Sequence, residues 1–127
     1  MRKPIVVIDD HPEHLMFLTL LLRRAGHEVQ GFSCARRAFE GIAALRPAVV
    51  VTDVFMPDMD GIEVVRLLRN IHPGIAVVGI GGLGRELGPN YLGAMEALGA
   101  AATFKKPINE QLFLAEIERL ATQTSMQ

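Results

Sequence analysis

The chain has 127 residues, half of them apolar, with 13 lysines and arginines against 14 acids and a formal net charge of −1. That is the length of one domain with enough apolar content for a core, and it carries no bulk charge to draw nucleic acid or an anionic membrane surface. The one cysteine, Cys34, excludes an internal disulfide and a multi-cysteine metal site, a count that suits a reducing cytosol.

The amino-terminal apolar piece is shorter than that of a secretory signal and ends in two acids. No apolar run approaches the ~18 residues of a membrane span. Ile5-Val6-Val7-Ile8 reads as a first strand. From Pro12 to Arg24, Leu15, Leu18, Leu21 and Leu22 recur at helical spacing, and Gly26 closes the helix. His27 to Phe32 is a short second strand. Ser33 is the expected N-cap of a helix that holds Cys34, reaches Leu45 and is stopped by Pro47. Ala48 to Thr52 is a third strand, and Asp60 is placed to cap a helix from Gly61 to about Asn70. Ile75 to Ile80 is a fourth strand. Gly88-Pro89 opens a helix with proline at its first position, and Gly99 follows its end. Ala102 to Lys105 makes a weaker fifth strand. Asn109 then caps a last helix whose Phe113, Ile117 and Leu120 face inward.

Strands 1, 3 and 4 are apolar without alternation, as strands are when helices cover both faces. The expected fold is α/β: a doubly wound five-stranded parallel sheet in the flavodoxin-like order 2-1-3-4-5, with helices on both faces. A single domain is expected over 1–127, its core running from about 3 to 122, with no linker and no attached output domain expected. Such sheets bind ligands beyond the carboxyl ends of their strands, at the switch point between strands 1 and 3.

Asp9-Asp10 ends strand 1 and Asp53 ends strand 3, so the topology brings three carboxylates to one rim. Three acids together repel, and their pKa values rise unless a cation joins them. Mg²⁺ takes oxygen ligands, keeps several waters and suits a partial carboxylate cage. Lys106, at the end of strand 5, adds a positive point charge for an anion beside the metal. Metal and lysine around a carboxylate make a site for a phosphoryl group.

The string D-V-F-M-P-D-M-D-G, Asp53 to Gly61, resembles the phosphoacceptor segment of bacterial response-regulator receiver domains. Asp9-Asp10 is similar to that family's acidic pair, and Lys106-Pro107 to its Lys-Pro; the resemblance covers about Lys3 to Thr122. It implies that Asp53 takes phosphate from a histidine kinase, a histidine phosphotransfer protein or a small phosphodonor. It implies Mg²⁺ held by Asp10, Asp53 and the backbone carbonyl of Phe55, with Asp9 acting partly through water. Lys106 would pair with phosphoryl oxygens, and Lys106-Pro107 would be a cis peptide. Positioning and charge neutralisation do most of the work in such a transfer. Phe55 is a candidate shield of the phosphoryl group from water.

Residues 75–84, IAVVGIGGLG, also spell the Gly79-x-Gly81-x-x-Gly84 of a dinucleotide-binding turn. Such a turn follows the first strand of its unit and opens directly into a helix. This one follows the fourth strand, and Lys105 and Lys106 stand where a ribose-binding acid belongs. No dinucleotide or flavin cofactor is therefore expected. The stretch instead marks a departure from the family, whose strand 4 ends in Thr or Ser: here the position is Gly81, and the aromatic of strand 5 is Thr103. Both halves of the usual switch are altered, leaving the backbone N–H groups of Gly81 and Gly82 for phosphate contact.

His11 and His14, three apart in the first turn of helix 1, raise a His–Asp transition-metal site as a lesser reading beside two solvated histidines. His27 and His72 show no partners in the sequence. The competing reading of the whole chain is a degenerate receiver, a phosphorylation-independent protein-binding module, motivated by Gly81 and Thr103. The intact Asp9, Asp10, Asp53 and Lys106 argue for the chemistry. The expectation is a cytoplasmic phosphoprotein, not an enzyme acting on a metabolite, that signals to an unknown downstream protein and to neither nucleic acid nor membrane.

Overall fold

A strand that is apolar on both faces needs cover on both sides, and all four residues of β1 (Ile5–Ile8) are buried. The computed structural model describes residues 3–82 and 91–125. After β1 come α1 (Pro12–Arg24), β2 (Val29–Phe32), α2 (Ala35–Leu45), β3 (Val49–Asp53), α3 (Gly61–Ile71), β4 (Ala76–Gly81), α4 (Tyr91–Ala97), β5 (Ala102–Lys105) and α5 (Glu110–Ser125). The strands are parallel in the order β2-β1-β3-β4-β5. Ile8 pairs with Thr52, Asp53 with Ile80 and Gly81 with Lys105, so these strands finish at one rim.

Alternation along the strands sorts the core into two layers. Val7, Val51 and Val78 pack with Leu18 and Leu22 of α1 and with Phe113, Ile117 and Leu120 of α5. Val6, Val50 and Val77 pack with Ala38 and Ile42 of α2, Val64 and Leu68 of α3, and Met95 of α4.

The helix ends follow local chemistry. Asp60 accepts a bond from the Glu63 N–H at 2.9 Å, and Asn109 accepts one from the Leu112 N–H at 3.0 Å. Past α1 and α4, Gly26 and Gly99 take φ of 95° and 117°, a region that a Cβ disfavours.

Several expectations shift. Strand β2 begins at Val29 because the His27 N–H still serves the helix exit, donating to Leu22 O at 3.1 Å. Strands β3 and β4 each start and end one residue late, since the ladder continues through the Asp53–Ile80 pair, and α3 extends to Ile71. Cys34 lies outside α2, at its N-cap, and makes no side-chain cap bond. Asp58 does the capping from across the fold, accepting from the N–H groups of Ala35 (3.3 Å) and Arg36 (3.0 Å). The helix start expected at Gly88-Pro89 lies outside the described residues.

The seat of α4 explains two of the strand 4 glycines. A Cβ at Gly79 would lie 2.5 Å from Met95 Cε and 2.8 Å from its Sδ; one at Gly81 would lie 3.0 Å from Leu92 Cδ2. These two glycines are strand residues that let α4 pack close, and Gly84 lies outside the described residues.

Candidate functional site

The strand ends carry the chemistry. Asp9 follows β1, its N–H tied to Phe32 O at 3.1 Å, and is only 1% exposed. Its Oδ1 accepts the His11 N–H at 2.9 Å, and its Oδ2 meets His14 Nδ1 in a short contact. Burial pushes the Asp9 carboxyl up, but the bonds from His14 and the His11 N–H outweigh it and hold its pKa below the ordinary value. The rise expected for all three acids is thus reversed at Asp9 by these two partners.

Asp53 ends β3 and is 5% exposed. Its Oδ1 accepts the Val54 N–H at 2.8 Å, and its Oδ2 lies 3.5 Å from Lys106 Nζ. Burial, then the negative charge of Asp9, pushes its pKa up; Lys106 and the Val54 N–H only partly offset this. Lys106 is fixed by its own N–H, which donates to Gly81 O at 2.8 Å, and it precedes proline through a cis peptide.

Asp10 Oδ1 is buried without a hydrogen-bond partner. Ligand atoms of Asp9, Asp10, His11 and Asp53 lie within 4.8 Å of one another. A buried carboxylate oxygen that makes no hydrogen bond fits a divalent cation, which would satisfy it. The cluster opens on a cleft of about 440 Å³ lined by Asp10, His11, Asp53, Phe55, Gly82 and Lys106, large enough for a phosphoryl group and waters.

Phe55 is 42% exposed at the cleft edge and packs on Tyr91 of α4, ring centroids 5.4 Å apart. Gly81 leaves no hydroxyl at the end of β4, and Leu92 fills the space above it. Thr103 Oγ1 donates to Glu96 Oε2 of α4 at 2.7 Å. Its neighbour Phe104 points to the other layer, edge-on to Phe113. The aromatic of β5 is therefore one residue and one face away from the position expected of a switch.

His14, raised in the sequence with His11 as a His–Asp candidate, reaches back five residues to Asp9. Sequence reasoning missed three other contributors. Glu96, Met95 and Asp58 act across elements. His27, which showed no partner in the sequence, is buried with Nε2 3.2 Å from Glu118 Oε2.

A doubly wound sheet with an acidic, cation-compatible cluster and a facing lysine at its switch point is the layout of a phosphoacceptor signalling module. The chain belongs to the response regulator receiver domain family, whose model matches residues 5–118. It is 30% identical over 121 residues to the sensory/regulatory protein RpfC of Xanthomonas campestris pv. campestris, covering 94% of this chain and 17% of that protein. It is 29% identical over 119 residues to the response regulator receiver protein CpdR of Brucella abortus, covering 93% of this chain and 96% of that one. A receiver domain structure from Clostridium thermocellum superposes with a TM-score of 0.88 at 26% identity, covering 97% of each chain. The chain thus spans under a fifth of the length of RpfC and nearly all of CpdR. Receiver domains serve two-component signalling, bind Mg²⁺ at an acidic pocket, and are phosphorylated by histidine kinases or phosphotransfer proteins.

Proposed function

We propose that this receiver, with 3–122 as its working unit, accepts a phosphoryl group on Asp53 from a histidine kinase or histidine phosphotransfer protein in the cytoplasm. The observation that carries this is the approach of Lys106 Nζ to Asp53 Oδ2, at 3.5 Å, beside an Asp10 Oδ1 that makes no hydrogen bond. Among the described residues no helix is long and apolar enough to cross a membrane.

In the transfer, an Asp53 oxygen forms a bond to phosphorus as the phosphorus–nitrogen bond of the donor phosphohistidine breaks. The electron pair stays on the imidazole, which then takes a proton. Hydrolysis reverses the gain: water attacks phosphorus, and Asp53 returns as carboxylate with release of inorganic phosphate. Both steps are run by the domain on itself. Asp9, Asp10, Asp53 and the Phe55 carbonyl would hold Mg²⁺, which neutralises charge on the transferring group. Lys106 places its ammonium against the same oxygens. The N–H groups of Gly81 and Gly82 supply contacts that elsewhere a hydroxyl shares.

We assign an atypical switch to Gly81 and Thr103. A hydrogen bond to a charged group is worth about 1.5–3 kcal/mol, and Gly81 has no side chain to make one. Leu92 occupies the space a side chain there would need, and the Thr103–Glu96 bond ties β5 to α4. Output then comes from a downstream protein that reads the charge and surface around Asp53 more than a movement of α4. The same two contacts favour the second reading, a degenerate receiver that binds its partner without phosphate.

Amide NMR spectra with Mg²⁺ and beryllofluoride, an acyl-phosphate mimic, separate the readings. Shifts at Asp53, Gly81, Gly82 and Lys106 with little change along α4 are expected. No shift at any of these would leave only the binding module.

A further inference from the structure

The family reading supplies this cluster with oxygen donors alone. The structure adds a nitrogen. His11 Nδ1 lies 3.3 Å from Asp9 Oδ1, 3.3 Å from Asp10 Oδ1 and 3.7 Å from Asp53 Oδ2. Donors that share a small cation at 2.0–2.1 Å stand about 3 Å apart at adjacent octahedral positions. The ring nitrogen is therefore spaced from the three carboxylates close to what a shared ion requires.

The remaining geometry leads to the same place. Asp10 Oδ1, one of the two nearest oxygens to the imidazole, is the buried atom without a hydrogen-bond partner. Asp9 is already oriented by the His14 ring on its other oxygen, the kind of support that fixes a ligating carboxylate. The His11 side chain is 65% exposed, so its ring covers the cluster from the solvent side of the cleft.

Imidazole suits cobalt, nickel and zinc ions, whereas a set of carboxylates and waters suits magnesium. We propose that His11 is a nitrogen ligand of this cluster, so that the site takes a divalent ion of the Co²⁺, Ni²⁺ and Zn²⁺ class as well as Mg²⁺. The inference rests on the metal-binding reading of Asp9, Asp10 and Asp53 given above and adds a ligand to it.

The test uses the full chain with Co²⁺ and, separately, Mg²⁺ as probes, each titrated by calorimetry, with Co²⁺ also followed by its visible absorption. The variants are His11→Asn and His11→Ala. His11 is the N-cap of α1 and makes no side-chain cap bond, and asparagine is a preferred cap, so His11→Asn keeps the helix start. Co²⁺ affinity should fall at least about tenfold in both variants, with a change in its absorption band, and should fall by a larger factor than Mg²⁺ affinity. Co²⁺ affinity unchanged in both variants would overturn the proposal, as would equal losses for the two ions, which would mark a structural role. A parent that binds Co²⁺ through His11 but not Mg²⁺ would support the nitrogen site and overturn the Mg²⁺ reading alone.

Discussion

Gly79→Ala tests how α4 is seated over the sheet. An added Cβ would stand 2.5 Å from Met95 Cε and 2.8 Å from its Sδ. Met95 is fully buried, and its Cε also lies 3.1 Å from where a Cβ on Gly61 would be, so the side chain is held between α3 and β4. Met95 is packed in the layer with Val64, Leu68 and Val77 and has little room to retreat, and overpacking of this kind costs about 1–3 kcal/mol. Met95→Ala removes the conflicting atoms and leaves a cavity, at about 2–5 kcal/mol. In the double variant the alanine Cβ at 79 meets no thioether and fills part of the cavity. The two losses should therefore fall short of their sum by about 1–2 kcal/mol. Urea unfolding followed by far-ultraviolet circular dichroism suits a chain with no tryptophan and one tyrosine. Losses that add to within about 0.5 kcal/mol would refute the packing account.

Other perturbations probe the site and its frame. Asp53→Asn should raise the melting temperature at neutral pH without divalent ions, because burial and then Asp9 raise the folded-state pKa of Asp53. The stability tied to a raised acid is present below its unfolded pKa and lost as pH rises through the folded one. The gain should therefore vanish below the ordinary aspartate value, and thermal scans from acid to neutral pH read it. Asp58→Ala removes a cap from α2 and should cost about 1 kcal/mol in urea unfolding near neutrality. The Arg36 N–H bond lowers the Asp58 pKa, so that difference should shrink as pH falls through the folded value. Phe55→Ala should shorten the phosphoryl half-life about twofold or more, roughly 0.4 kcal/mol of barrier; equal half-lives by intact-mass time course would remove the shielding role.

The fold was legible because its signals are local and repeated. Apolar strands without alternation, Asp60 and Asn109 as caps, and acids at two strand ends each speak from a few neighbouring residues. Asp9, Asp10, Asp53 and Lys106 could be brought together once the strand order was assumed, because register does the placing. What escaped were contacts whose partners share no local pattern: Asp58 capping α2, Met95 against Gly79, Glu96 with Thr103 and His27 beside Glu118. His11 and His14 were visible as a pair three apart, yet the structure divides them. His14 holds Asp9 from the helix, and His11 turns its ring over the cluster from the cap. Helical spacing cannot assign that division, because His11 is not in the helix.

The central claim is that Asp53, buried beside Asp9 and faced by Lys106, is a working phosphoacceptor. Intact mass after incubation with acetyl phosphate, with and without Mg²⁺, tests it most directly, beside Asp53→Asn and Lys106→Ala. The account predicts a gain of one phosphoryl group in the parent that requires Mg²⁺, is absent in Asp53→Asn and is reduced in Lys106→Ala. A gain that persists in Asp53→Asn would contradict it, as would no gain in the parent from acetyl phosphate or from any phosphohistidine donor while Mg²⁺ is bound.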